Sequence, residues 1–140
     1  MDILSLLPAD TEISGCIGDD WLYIPFRTTA ANAKVDIAAV CARHVKEYAA
    51  GYHTETRSSK TAASYWIHDS QECVAVLPDF PNVRIGLAMV NHDVRLGFKA
   101  VNVEYDGDIV HNWDNDPKEW KAKAEYFRKL ADFLDKLAGA

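Results

Sequence analysis

Long apolar runs are missing from this chain of 140 residues. Nothing approaches the roughly 20 consecutive apolar residues of a membrane-spanning helix, so the sequence predicts no membrane association through a helix. Cysteine is scarce too: Cys16, Cys41 and Cys73 are odd in number, far apart, and form no CxxC pair. That spacing favours reduced thiols and a cytoplasmic setting over a disulfide framework. Positive charge is in the minority, with 15 Lys and Arg against 21 Asp and Glu and a formal net charge of -6. Direct nucleic-acid binding and attachment to anionic membranes are therefore disfavoured, and a basic protein partner is expected. Basic residues are also lacking ahead of the short apolar run in MDILSLLPAD, where Pro8 follows at once, so no secretory leader is expected. No repeat, low-complexity tract or linker-like stretch interrupts the chain, which predicts a single α+β domain over 1–140.

What remains is rich in core material. Hydrophobic residues make up 49% of the chain, with four tryptophans, six tyrosines and five phenylalanines. Residues 3–7 suggest a short helix, and residues 1–18 an N-terminal arm broken by Gly15 and Gly18. WLYIPF at 21–26 reads as a short strand, with Pro25 marking an edge or an end because it brings no N–H to a ladder. Between 30 and 50 the period changes: Ile37, Val40, Cys41, His44 and Tyr48 recur at helical spacing and Gly51 supplies a stop. Thr28, Thr29 and Asn32 are the candidate caps. His44 on the apolar face is expected to be a core residue.

Strand propensity returns at ASYWIH and at ECVAVLP, which Pro78 ends. DFPN then leads into VRIGLAMV, where Val83, Ile85, Leu87 and Met89 alternate. NHDV predicts a turn into RLGFKAVNVEY. There Val94, Leu96 and Phe98 alternate, then Val101, Val103 and Tyr105; the change of parity near Ala100 predicts a bulge. Asp106-Gly107 fits a two-residue hairpin turn with DIVHNW returning. In DPKEW, Asp116 caps a final helix, Pro117 fits its first position, and Glu119 suits its first turn. Trp120, Ala124, Phe127, Ala131 and Leu134 predict its buried face, widened by Leu130 and Leu137. The expected architecture is an antiparallel sheet of four to six strands packed against a long central helix and a C-terminal helix.

The stretch VNVEYDGDIVHNWDNDPKEW carries six carboxylates and one histidine in twenty residues. An EF-hand is excluded: starting at Asp106 gives His111 at the glycine position, and starting at Asn112 gives Pro117 there. Asp106, Asp116 and Glu119 have turn and cap roles. Across the expected hairpin, Glu104 and His111 would share one face, and a carboxylate beside an imidazole is the arrangement acid-base chemistry uses. A small hydrolase built on that pair, helped by the polar loop HTETRSSK at 53–60, is the enzyme alternative. No spacing among the histidines or cysteines specifies a metal, and no cofactor is implied.

The leading expectation is a nonenzymatic, cytoplasmic binding or inhibitory protein that occludes a basic partner. Bacterial immunity proteins and phage anti-defence proteins share this size and acidity. Its contact residues would be Trp21 with Asp19 and Asp20, and Trp113 with Asp108 and Asp114, because tryptophans bordered by acids make interface anchors. Trp66 and Trp120 are expected to be structural. Self-assembly into a homo-oligomer or a viral component is a third reading.

Overall fold

The computed structural model describes residues 2–19, 22–51, 71–92, 95–107 and 116–139. A 3-10 helix, Ile3–Leu6, precedes β1 (Glu12–Asp19) and β2 (Leu22–Thr29). Helix α1 (Ala33–Gly51) follows, then β3 (Gln71–Leu77), β4 (Phe80–His92), β5 (Arg95–Tyr105) and helix α2 (Pro117–Ala138). The five strands form one antiparallel sheet in the order β2-β1-β3-β4-β5, packed against the two helices. This is the α+β class that the mixed periodicities predict.

The order has a topological consequence. β2 and β3 both run antiparallel to β1, from opposite sides, so they are parallel to each other. No tight turn can join parallel strands. The segment between them therefore contains α1, which packs back on β1 and β2. Where the sequence suggested an arm over 1–18, residues 12–19 are a full strand, paired along its length with β2 and over residues 12–15 also with β3. Gly15 lies within the ladder, opposite Phe26 and Cys73, so its lack of a side chain does not break the strand.

One face of the sheet carries the core. Ile13 and Ile17, Phe26, Cys73, Ala75 and Leu77, Val83, Ile85 and Leu87, and Phe98 are buried at alternate positions. They meet Ala33, Ile37 and Cys41 of α1, Leu130 and Leu137 of α2, and Ile3 and Leu7 of the N-terminal segment. Burying each large aliphatic side chain contributes about 1.5–3 kcal/mol, so this single face supplies the main driving force. His44 is fully buried, as its place on the apolar helix face predicts. Thr28 Oγ1 donates to Asp36 Oδ2 at 2.6 Å, joining the end of β2 to the first turn of α1. Lys34 Nζ and Asp2 Oδ2 approach to 2.7 Å and tie the 3-10 helix to the same turn.

Pro25 lies in β2, an edge strand among the described residues, where a missing N–H is tolerated. The turn joining β3 and β4 is narrower than DFPN suggests: Pro78 and Asp79 make it, and Phe80 already belongs to β4. The predicted bulge is present. Leu87 pairs with Ala100 and Gly86 with Asn102, which leaves Val101 as the extra residue on β5. β5 ends at Tyr105; the Asp106 N–H donates to the Asn82 carbonyl at 2.9 Å, and Gly107 enters a 3-10 turn. The expected returning strand DIVHNW, the strand ASYWIH and the loop 53–60 lie outside the described residues.

Asp116 caps α2 as expected, its side chain accepting from the Lys118 N–H at 3.0 Å, with Pro117 opening the helix. The buried stripe is the predicted one in part: Leu130, Leu134 and Leu137 pack in or against the core as expected, and Trp120 and Phe127 do not. Leu130 and Leu137 are buried, and Tyr126 and Phe133 pack onto Phe80 with ring centroids at 5.4 and 6.1 Å. Trp120 stays 47% exposed and Phe127 36% exposed, so Trp120 is not a core residue. At 100° per residue the apolar arc of α2 is too wide to be covered whole. The sheet takes the edge through 126, 130, 133 and 137, and the 120–127–131 edge faces outward.

Candidate functional site: the open face of the sheet

Alternate residues of the same strands point away from the core, and the register sets them in rows. Arg27 stands opposite Ser14, Ser14 opposite Val74, Val74 opposite Gly86, and Gly86 opposite Asn102. Two residues along, Glu12 stands opposite Val76, Val76 opposite Arg84, and Arg84 opposite Glu104. The five strands span about 19 Å at about 4.8 Å per gap. Residues of both rows line a concave groove of about 650 Å³, within the range of about 300–1,000 Å³ typical of ligand sites. A shallower depression by Cys16, Pro25 and Phe26 adjoins it, sharing Ser14 and Arg27.

The floor is partly apolar. Val74 is 38% exposed and Val76 half-buried. At its centre Gly86 leaves a notch, over which the Asn102 side chain lies: a Cβ on Gly86 would sit 1.9 Å from Asn102 Oδ1 and 3.0 Å from its Cγ. The bulge makes this possible. Without the extra Val101, the two-residue period would carry Asn102 and Glu104 to the core side of β5.

Charge is placed at both ends. Arg27 Nε meets Glu12 Oε1 at 3.2 Å, with both side chains well exposed, so the pair contributes about 0–1 kcal/mol. Arg84 and Glu104 face each other across β4 and β5, yet among the described residues Arg84 makes no ion pair. Two arginines and two glutamates leave the groove with no net formal charge. The Cys73 thiol belongs to the core side of β3, where burial pushes its pKa up to about 12. It stays protonated near neutrality and is no nucleophile. Among the described residues, no group of three or more His, Cys, Asp or Glu is placed to hold a metal ion.

A second polar contact lies at the end of the sheet. Tyr126 donates its hydroxyl proton to Asn82 Oδ1. Burial raises the Tyr126 pKa, the neighbouring Tyr105 raises it further, and the Asn82 bond acts the other way. Asn82 Nδ2 and Thr11 Oγ1 are buried without hydrogen-bond partners among the described residues. This contact joins α2 to β4 and opens onto no cavity described above.

Of the candidate contact and acid-base residues that fall among the described ones, Glu104 lines the groove. Asp19 ends β1 opposite Leu22, five residues or about 17 Å along the strand from Ser14, and outside the groove. Trp21, Asp20, Asp108, His111, Trp113 and Asp114 lie outside the described residues, and so does the expected Glu104–His111 pair. Arg27, Arg84, Asn102 and Ser14 were not singled out. Their signal is the polar half of the strand alternation, as in Val83-Arg84-Ile85-Gly86-Leu87. No helix among the described residues is long and apolar enough to cross a membrane. Comparison with protein-family models, curated proteins and solved structures finds no significant match in any of the three.

Proposed function

We propose that the chain is a nonenzymatic binding module that holds an extended segment of another protein across the open face of its sheet, and so blocks or recruits that protein inside the cell. The observation that carries this reading is the composition of the open face: exposed Val74 and half-buried Val76 lie between two clusters of charge in a concave surface. Apolar contact supplies affinity to such an interface and flanking charges supply orientation. The net charge of -6 would draw in a basic partner over long range, with Asp19, Asp20, Asp108 and Asp114 contributing to the field, while the groove, formally neutral, makes the close contacts.

A photo-crosslinking side chain placed at position 74 tests this in native extract, with Val35, 75% exposed and far along the chain on α1, as the control position. One discrete heterologous product from position 74, absent from position 35 and lost with Arg84→Glu, is the expected result. Equal products from both positions, or products of this chain with itself alone, would overturn the proposal.

A further inference from the structure

Helix α2 has two apolar edges, and the core uses one of them. Tyr126, Leu130, Phe133 and Leu137 turn to the sheet. Along the other edge, Trp120, Ala124, Phe127, Ala131, Leu134 and Ala138 follow one another at alternating intervals of four and three residues. That is the spacing of a coiled-coil seam. Trp120 and Phe127 keep 47% and 36% of their surface exposed, Ala131 and Ala138 are exposed, and Ala124 and Leu134 are half-buried. Phe127 is steadied by an edge-on contact with Tyr126, ring centroids at 5.7 Å. Within this seam a large residue alternates strictly with alanine. Since α2 packs on the core side of the sheet, covering the seam leaves the open face clear.

We propose that the seam is a dimer interface: it pairs with the same seam of a second copy of the chain, antiparallel, about a twofold axis level with Lys129. In that register Trp120 faces the partner's Ala138, Ala124 the partner's Leu134, and Phe127 the partner's Ala131. The axis generates the reciprocal three layers. Every large residue therefore meets an alanine, so the layers interdigitate and the helices can approach closely. Parallel pairing would set tryptophan on tryptophan and alanine on alanine. Sliding the helices by one heptad in either direction loses two of the six layers. Charge agrees with the same register. Lys121, Arg128 and Asp135 flank the seam on its outer side. Antiparallel pairing brings Lys121 beside the partner's Asp135 twice, against a single meeting of the two Arg128 at the axis. Each Arg128 has Glu125 and Asp132 within one turn on its own helix, which offsets that contact. A surface that received a different protein would need no such agreement with itself. Two 22-residue helices paired along about 33 Å make an interface at the low end of stable sizes, so a Kd on the order of 10 μM is expected.

Sedimentation equilibrium of the full chain, over protomer concentrations from about 1 to 500 μM, reads the association. A monomer–dimer equilibrium that stops at the dimer is expected. Trp120→Ala should raise its Kd at least tenfold and Asp135→Lys severalfold, while Val35→Ala, on the exposed side of α1, should leave it unchanged. Lys121→Asp added to Asp135→Lys restores the charge pair in reverse and should return the Kd to within about twofold of wild type. That recovery also shows that Asp135→Lys acts at the interface and not by unfolding the chain. Orientation is read by a spin label on Lys118→Cys in a Cys16→Ser background, since Cys41 and Cys73 are buried. Antiparallel pairing sets the label and its twin about 33 Å apart along the helix axis, whereas parallel pairing sets them level. A chain monomeric at every concentration, a Kd indifferent to Trp120→Ala, a double charge reversal that restores nothing, or labels that lie level would overturn the inference. The crosslink from position 74 reads the opposite face of the sheet, so either result stands without the other.

Discussion

Substituting Gly86 by alanine should show how the notch and Asn102 depend on each other. Two opposing effects meet in this change. Alanine in a strand interior gains about 0.5–1 kcal/mol over glycine, because the unfolded chain loses freedom. Against that, the new Cβ would lie 1.9 Å from Asn102 Oδ1, so the amide must leave. Asn102 is exposed and its Oδ1 is the far end of a side chain, so relocation costs about 0.5–1.5 kcal/mol in rotamer strain and lost contact. The net effect in wild type is near zero or mildly destabilising. With Asn102→Ala already in place, only the gain survives, since the next neighbour, Val101 Cγ2, is at 3.4 Å. The double-mutant cycle should return a coupling of about 1 kcal/mol, with Gly86→Ala stabilising only in the Asn102→Ala background. Urea unfolding resolves it: at a slope of about 1–3 kcal/mol/M, that coupling moves the midpoint by roughly 0.3–1 M. A cycle that closes to zero would refute the placement of Asn102 over the notch.

Tyr126→Phe should destabilise the fold by about 1–3 kcal/mol, since it strips the buried Asn82 side chain of its bond, and Asn82→Ala should cost less in that background than in wild type. The Cys73 pKa is raised in the folded state from 9.0 to about 12, so its contribution is complete below pH 9 and is lost as pH rises towards 12. The unfolding free energy from urea titrations should fall across that window by up to about 1.4 kcal/mol per pH unit, with Tyr126 acting in the same direction; parallel pH profiles for wild type and Cys73→Ala would contradict this. Asp116→Ala should cost about 1 kcal/mol through the lost cap of α2, and Asp116→Ser should recover most of it in the same unfolding assay.

Much of the architecture is legible locally because the signals are short-range. The period of two in Val83 to Met89, the cap at Asp116 and the parity change in β5 each depend on neighbours within a few residues. From them follow the α+β class, the helices and the bulge. β1 was missed for an equally local reason: Gly15 and Gly18 carry the mark of a breaker, and only pairing with β2 and β3 overrides it.

What the sequence by itself determined, then, is where both long helices and the strands other than β1 lie, and that those strands have an apolar side and a polar side. Which strands stand beside one another was decided by the tertiary structure. The order β2-β1-β3-β4-β5 brings Arg27, Ser14, Val74, Gly86 and Asn102 into one row from positions up to 88 residues apart. The same holds for α2, whose wide apolar arc fits the core in more than one rotation until Phe80 and Asn82 select the edge bearing Tyr126. The physical reason is common to both. Periodicity is a property of one segment and its own geometry, whereas register and helix rotation minimise the exposed apolar surface of segments that meet only when the chain folds.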